Sequence, residues 1–314
     1  MFQPLFRYLS PPGPTARLSV FIFHRVLAQT DTLFPDEVDA QRFDRLCGWL
    51  SAWFRVIPLD AAVAQLKNGT LPERAASITF DDGYADNYHV ALPILQRHNL
   101  TATFFIATGF LDGGCMWNDT IIESVRACQQ PVLDASALNL GVHPLASLAE
   151  KTRAIHRLIQ DIKYLPTQER VAITQRLASI ANVTVPRDLM MTSQEVKAMR
   201  IAGMQIGAHT VSHPILARLS EDEARQEMGA SKQFLEHLLG ERVGLFAYPN
   251  GKPGEDYTPQ NALMVRELGF DAAVSTQWGA SSMGDDLFQI RRFTPWDRSK
   301  LRFALRVAQN LAVT

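Results

Sequence analysis

The sequence is short of cysteine, of long apolar runs and of any surplus of one charge, and each shortage removes a class of protein. Cys47, Cys115 and Cys128 are the only three cysteines in 314 residues, and none lies close to another. That excludes a disulfide framework and a cysteine-ligated metal, and points to a reducing compartment. The apolar run Leu18 to Phe23 is too short for a bilayer, which needs about 20 residues. Met1 to Arg17 mixes arginine and proline with no continuous apolar segment. Neither a signal peptide nor a transmembrane helix is expected, so a cytoplasmic location is. Lys plus Arg number 31 against 32 Asp plus Glu, for a net charge of −1. Nothing there attracts a polyanion, and nucleic acid is not an expected partner. No internal repeat or low-complexity linker occurs. Histidine is also absent after His237.

What is present is a 46% apolar content, enough for a sizeable core, and a strand–helix alternation. Strands are expected at Leu18–Phe23, Arg55–Leu59, Ala75–Phe80, Thr101–Thr108, Met204–Gly207, Leu245–Tyr248, Phe270–Ser275 and Phe288–Phe293. Helices are expected at Phe43–Phe54, Ala61–Leu66, Tyr88–Leu100 (with Pro93 in its first turn), Thr258–Leu268 and Lys300–Leu311. Capping boxes at Thr192–Glu195 and Ser220–Glu223 open two more. This series implies an α/β fold, a distorted (β/α) barrel of about seven parallel strands in a single domain over residues 1–314. Between about 110 and 190 the rhythm breaks. No clear strand is read there, and the stretch is expected to be a helical insertion.

Barrel sites gather at the carboxyl ends of strands. Ser77-Ile-Thr-Phe-Asp-Asp-Gly places Asp81 and Asp82 at such an end. Two adjacent carboxylates repel unless a cation or proton intervenes, although Asp-Asp-Gly is also ordinary turn chemistry. His209 and His213 stand four apart at another strand end, a spacing that suits one metal but is weak by itself. With Asp82 they would make a two-histidine, one-carboxylate set. Zinc accepts it, as do cobalt, nickel, iron and manganese. Asp81, beside a ligand, is then the natural base for water.

The strings Thr79-Phe80-Asp81-Asp82-Gly83-Tyr84 with Asp86-Asn87, and Gly203-Met-Gln-Ile-Gly-Ala-His-Thr-Val-Ser-His-Pro214, resemble the first two motifs of the NodB-homology polysaccharide deacetylases. They occur in the family's order, from about His24 to Arg292 overall. The resemblance implies Asp81 as catalytic base, Asp82, His209 and His213 as metal ligands, and an N-acetylated polysaccharide or glycan precursor as substrate. Tyr248-Pro249-Asn250 occupies the third, groove-shaping motif, and the Asn250 N–H is suited to an oxyanion. Two departures stand out. Ala247 takes the place of the usual arginine, leaving Arg292 to serve beside the base. The final Leu-x-His motif reads Ile290-Arg291-Arg292, and arginine is a poor proton donor at neutral pH. His24 is therefore the expected general acid. This resembles the permuted poly-N-acetylglucosamine deacetylases, whose acid histidine comes early; the bland alternative is a buried histidine bonded to backbone. Asp86 and Asn87 are expected to cap a helix. Tyr248, Trp117, Trp278 and Trp296 are either sugar platforms or packing aromatics. Two other functions stay open, a non-haem iron enzyme with a similar ligand set and a carbohydrate-binding homologue without turnover.

Overall fold

The structure, a computed structural model, describes residues 2–312. In chain order the strands are β1 (Arg17–Phe23), β2 (Arg55–Val56), β3 (Ala75–Phe80), β4 (Thr103–Ile106), β5 (Val132–Asp134), β6 (Val142–Pro144), β7 (Gln205–Ala208), β8 (Leu245–Ala247), β9 (Ala272–Val274) and β10 (Ser281–Ser282). The chain divides into two compact units.

The larger unit comprises Met1–Ala28, Val38–Leu111 and Met191–Thr314. Its sheet runs β10-β1-β3-β4-β7-β8-β9, with β2 also paired to β3. Every pairing is parallel except β1 with β10. β3 and β4 are buried at every position, as expected for parallel strands covered on both faces. Side chains alternate across the sheet. From β1, Leu18 and Val20 join a core with the helix Leu59–Asn68, while Phe21 and Phe23 join the larger core that contains the helix Ala40–Trp53. The register is level, with Phe23 opposite Phe80 and Ile106 opposite Ala208. The residues that follow β1, β3, β4 and β7 therefore emerge on one rim.

Phe288–Phe293, expected as a strand, opens on a turn at Phe288 and Gln289 and then runs as a stave that changes neighbours midway. Ile290 bridges Val274 and Phe293 bridges Phe21. The Ile290 N–H donates to Ala273 O at 2.9 Å and the Phe293 N–H to Val20 O at 2.8 Å. Neither pairing is long enough to make a strand, yet together they join β9 to β1 and close the barrel. The helix expected at Tyr88–Leu100 is also altered. Asn87–Ala91 is a π-helical turn, and an α-helix follows at Leu92–Arg97. Pro93 lacks the N–H that a regular ladder would need there, so the ladder shifts register. Both expected capping boxes form.

The smaller unit joins Gln29–Glu37 to Asp112–Met190. Three helices, Trp117–Ala127, Leu148–Ile162 and Thr167–Ile180, bury Ile121, Val125, Ile155, Leu158 and Leu177. It also contains an antiparallel pair, β5 with β6, where no strand was expected. Each of these strands buries only its middle residue, so neither has an apolar run to read. No disulfide joins Cys47, Cys115 or Cys128. Among the described residues no helix is long and apolar enough to cross a membrane.

Candidate active site

The two acids after β3 are separated by their backbone. Asp81 continues the strand, its N–H donating to Phe23 O at 3.0 Å. Asp82 turns away with φ 77°, a left-handed conformation that costs of order 1–3 kcal/mol in a residue other than glycine. That turn lets neighbouring carboxylates share one rim instead of facing opposite sides.

Asp81 is gripped by Arg292, Nη1 to Oδ1 at 2.7 Å and Nη2 to Oδ2 at 2.8 Å. The guanidinium is itself held, its Nε donating to Ser275 O at 2.8 Å and its Nη1 to Thr79 Oγ1 at 3.3 Å. Burial would raise the Asp81 pKa, but the Arg292 charge, aided by His209, holds it below the usual carboxylate range. Arg292 thus stands against Asp81, where the sequence left Ala247 in place of an arginine.

Asp82 Oδ1 lies 3.4 Å from His209 Nε2 and 3.4 Å from His213 Nε2. The three ligand-type atoms all fall within 4.8 Å of one another. Asp82 Oδ1 is buried and has no hydrogen-bond partner. Tetrahedral ligands about 2.0–2.2 Å from zinc sit about 3.3 Å apart, so these residues fit a divalent cation. His209 Nδ1 lies 2.7 Å from Ala247 O, which fixes the tautomer that leaves Nε2 free to ligate. Burial opposes charge on His209, but Asp82 and Asp81 outweigh it and raise its pKa. Burial pushes His213 down to about 4, which keeps its ring neutral. Asp82 is pushed down despite burial by His209 and His213.

The loop carrying the histidines is strained and tied. Thr210 and His213 have φ of 66° and 51°, and for the β-branched Thr210 this is an outlier. Thr210 Oγ1 accepts the His213 N–H at 3.1 Å. The Gly109 N–H donates to Val211 O at 2.9 Å. A Cβ at position 109 would sit 2.7 Å from that oxygen, so only glycine allows the approach. From the helix Glu221–Leu239, Glu227 Oε2 accepts the N–H groups of Val211 and Ser212, both at 2.8 Å, and Oε1 accepts Ser212 Oγ at 2.7 Å. Sequence reasoning missed Glu227, which reads as an ordinary polar position on an amphipathic helix.

The remaining expectations divide. His24 is exposed, so the buried-histidine alternative does not hold, and its charge is among those lowering Asp81 and Asp82. Its carbonyl accepts from Asn87 Nδ2 at 2.9 Å. Asp86 makes no side-chain cap. It accepts instead from Arg25 Nε at 2.8 Å and the Val26 N–H at 3.0 Å, so both residues tie down the segment after β1. Tyr248 offers no surface to a sugar. It is 0% exposed, its hydroxyl donates to Phe288 O at 2.9 Å, and its ring stacks on Tyr257 at 3.8 Å. Pro249 is buried too, whereas Asn250 is exposed at φ 57°. Trp117 packs under the Arg170 guanidinium in the smaller unit, while Trp278 and Trp296 are exposed.

Comparison with known proteins agrees with this geometry. The chain is 20% identical over 279 residues to YxkH of Bacillus subtilis (strain 168), a protein named among the polysaccharide deacetylases, covering 88% of this chain and 71% of that one. The solved deacetylase PplD of Streptococcus pyogenes, in complex with acetate, superposes with a TM-score of 0.62 at 18% identity, over 94% of this chain and 98% of that one. IcaB from Ammonifex degensii gives 0.58 at 16%, over 97% and 99%. A de-N-acetylase from Aggregatibacter actinomycetemcomitans gives 0.59 at 18%, over 93% and 99%. At these identities the structures speak to the fold, a distorted (β/α) barrel. The sequence pattern of the polysaccharide deacetylases matches residues 68–273, a span that holds Asp81, Asp82, His209 and His213, and the chain belongs to that family.

Proposed function

We propose that the protein is a metal-dependent hydrolase that removes N-acetyl groups from a polysaccharide or glycan precursor. The observation that carries the metal is the buried, unpartnered Oδ1 of Asp82, set 3.4 Å from each of two imidazole nitrogens. Asp82, His209 and His213 would hold zinc, or cobalt, nickel, iron or manganese, and the bound cation would acidify water and polarise the acetyl carbonyl. Asp81 takes the proton from water. Held low by Arg292, it is ionised near neutral pH but a weak base, which suits it to a water whose proton the cation would loosen. Arg292 aims both carboxylate oxygens. The Asn250 N–H, which has no partner among the described backbone bonds, would help hold the oxyanion. As the C–N bond breaks, His24 protonates the departing amine and acetate leaves. His24 is exposed at the rim, open to a large glycan, in the manner of the permuted poly-N-acetylglucosamine enzymes. Three cysteines with no disulfide between them fit a cytoplasmic setting.

The test is acetate release from N-acetylglucosamine oligomers, using protein stripped of metal and then given zinc, cobalt or nickel. Release is expected only with metal, and Asp81→Asn is expected to lower it by roughly 10²–10⁴-fold while metal binding persists. Sugar binding with no acetate release from any oligomer or metal would favour a binding protein, the reading that Ala247 and the missing late histidine support.

A further inference from the structure

Glu227 belongs to none of the motifs above, yet its carboxylate holds the turn that joins the two histidines. It receives three donors from the turn that separates them, the N–H groups of Val211 and Ser212 at 2.8 Å each and Ser212 Oγ at 2.7 Å. Successive N–H groups converging on one oxygen form an anion-binding nest, here filled by the protein's own side chain. Hydrogen bonds to an ionised acceptor are roughly twice as strong as neutral ones.

The turn needs such a hold. Thr210 and His213 both lie in the left-handed region, each costing of order 1–3 kcal/mol, and residues 211–213 are only half-buried. The platform beneath Glu227 is firm. Its helix of 19 residues opens with the Ser220–Glu223 capping box and buries Ala224, Met228 and Leu235. We propose that Glu227 is a positioning residue that sets the spacing and aim of His209 and His213, so that the turn is built for metal before metal arrives. This rests on reading Asp82, His209 and His213 as the ligand set. Groups behind metal ligands typically change metal affinity by roughly 10–100-fold when removed.

The full chain, stripped of metal, would be titrated with cobalt and with zinc against a competing chelator, following the visible absorption of the cobalt form. Glu227→Ala is expected to weaken binding roughly 10–100-fold and to shift the cobalt spectrum. Glu227→Gln keeps one oxygen acceptor without the charge, and is expected to recover most of this, ending about 3–10-fold weaker than wild type. Melting curves of the stripped proteins are recorded beside the affinities. A Glu227→Ala protein that melts at lower temperature but keeps wild-type affinity and spectrum is only structurally perturbed, and overturns the proposal. If Glu227→Ala gives no cooperative melt, wild-type affinity in Glu227→Gln overturns it instead. Wild-type protein that binds neither metal removes the ligand reading itself, and the proposal with it, without reference to any variant.

Discussion

Two arginine–aspartate forks in the barrel unit have nearly the same geometry and opposite surroundings. Arg292 grips Asp81 at 2.7 and 2.8 Å, with side chains 0% and 3% exposed. Arg242 grips Asp271, one arm at 2.9 Å, with side chains 58% and 55% exposed. The second fork lies near the start of β8 and β9, beside another exposed pair, Arg200 with Glu241; the first lies at the rim where the strands end. In water an ion pair of this kind contributes about 0–1 kcal/mol. Out of water, each charge depends on its partner, and losing one leaves the other stranded. Environment, not bond length, separates a surface ornament from a component of the site.

Arg292→Ala should show the largest effect. It is expected to destabilise folding by about 3–5 kcal/mol in urea unfolding, because Asp81 remains buried and uncompensated. A loss near that of Arg242→Ala would erase the distinction. Removing both charges sharpens the test. The double variant Asp81→Asn, Arg292→Met should be more stable than Arg292→Ala alone, since a neutral pair strands nothing.

Acid offers a third test. The Asp81 pKa lies below its unfolded value of about 3.9, so on acidification the unfolded chain binds this proton first. The contribution is therefore full well above pH 4 and drains away as the pH falls through the folded value. Urea midpoints between pH 6 and 3 should fall more steeply for wild type than for Asp81→Asn. Parallel curves would mean that Asp81 is not held low. The smallest effect is expected from Arg242→Ala, below about 1 kcal/mol and shrinking further with added salt, with acetate release unchanged.

The same contrast explains what the sequence made legible. Asp81, Asp82, His209 and His213 were weak signals singly, but they lie in two short strings that together resemble a family's motifs, so they could be nominated from residue order. The partners that set their geometry are remote. Arg292 could be nominated only because Ala247 left a vacancy, and its fork with Asp81 spans 211 residues. Glu227 gives no local sign at all, because a glutamate on a helix is ordinary until the turn folds onto it. Tyr248 stayed open between sugar platform and packing aromatic, since an aromatic at a strand end does not declare which way its ring points. Asp86 followed capping statistics in type, but the segment after β1 offered it Arg25 and Val26 instead. The barrel was readable from alternation because buried parallel strands need apolar runs. β5 and β6 were not, because one buried residue per strand leaves no pattern.

The stave at Phe288–Phe293 has a consequence for biogenesis. It joins the first strand of the barrel to the last stretch before the final helix, so the ring cannot shut until nearly the whole chain exists. At roughly 5–20 residues per second, Asp81 is made about 10–40 s before Arg292, given the 211 residues between them. Throughout that interval the carboxylate must stay in water or be shielded by something else. Closure of the barrel and completion of the Asp81–Arg292 pair are thus one late event, so a chain truncated before Arg292 would lack both at once.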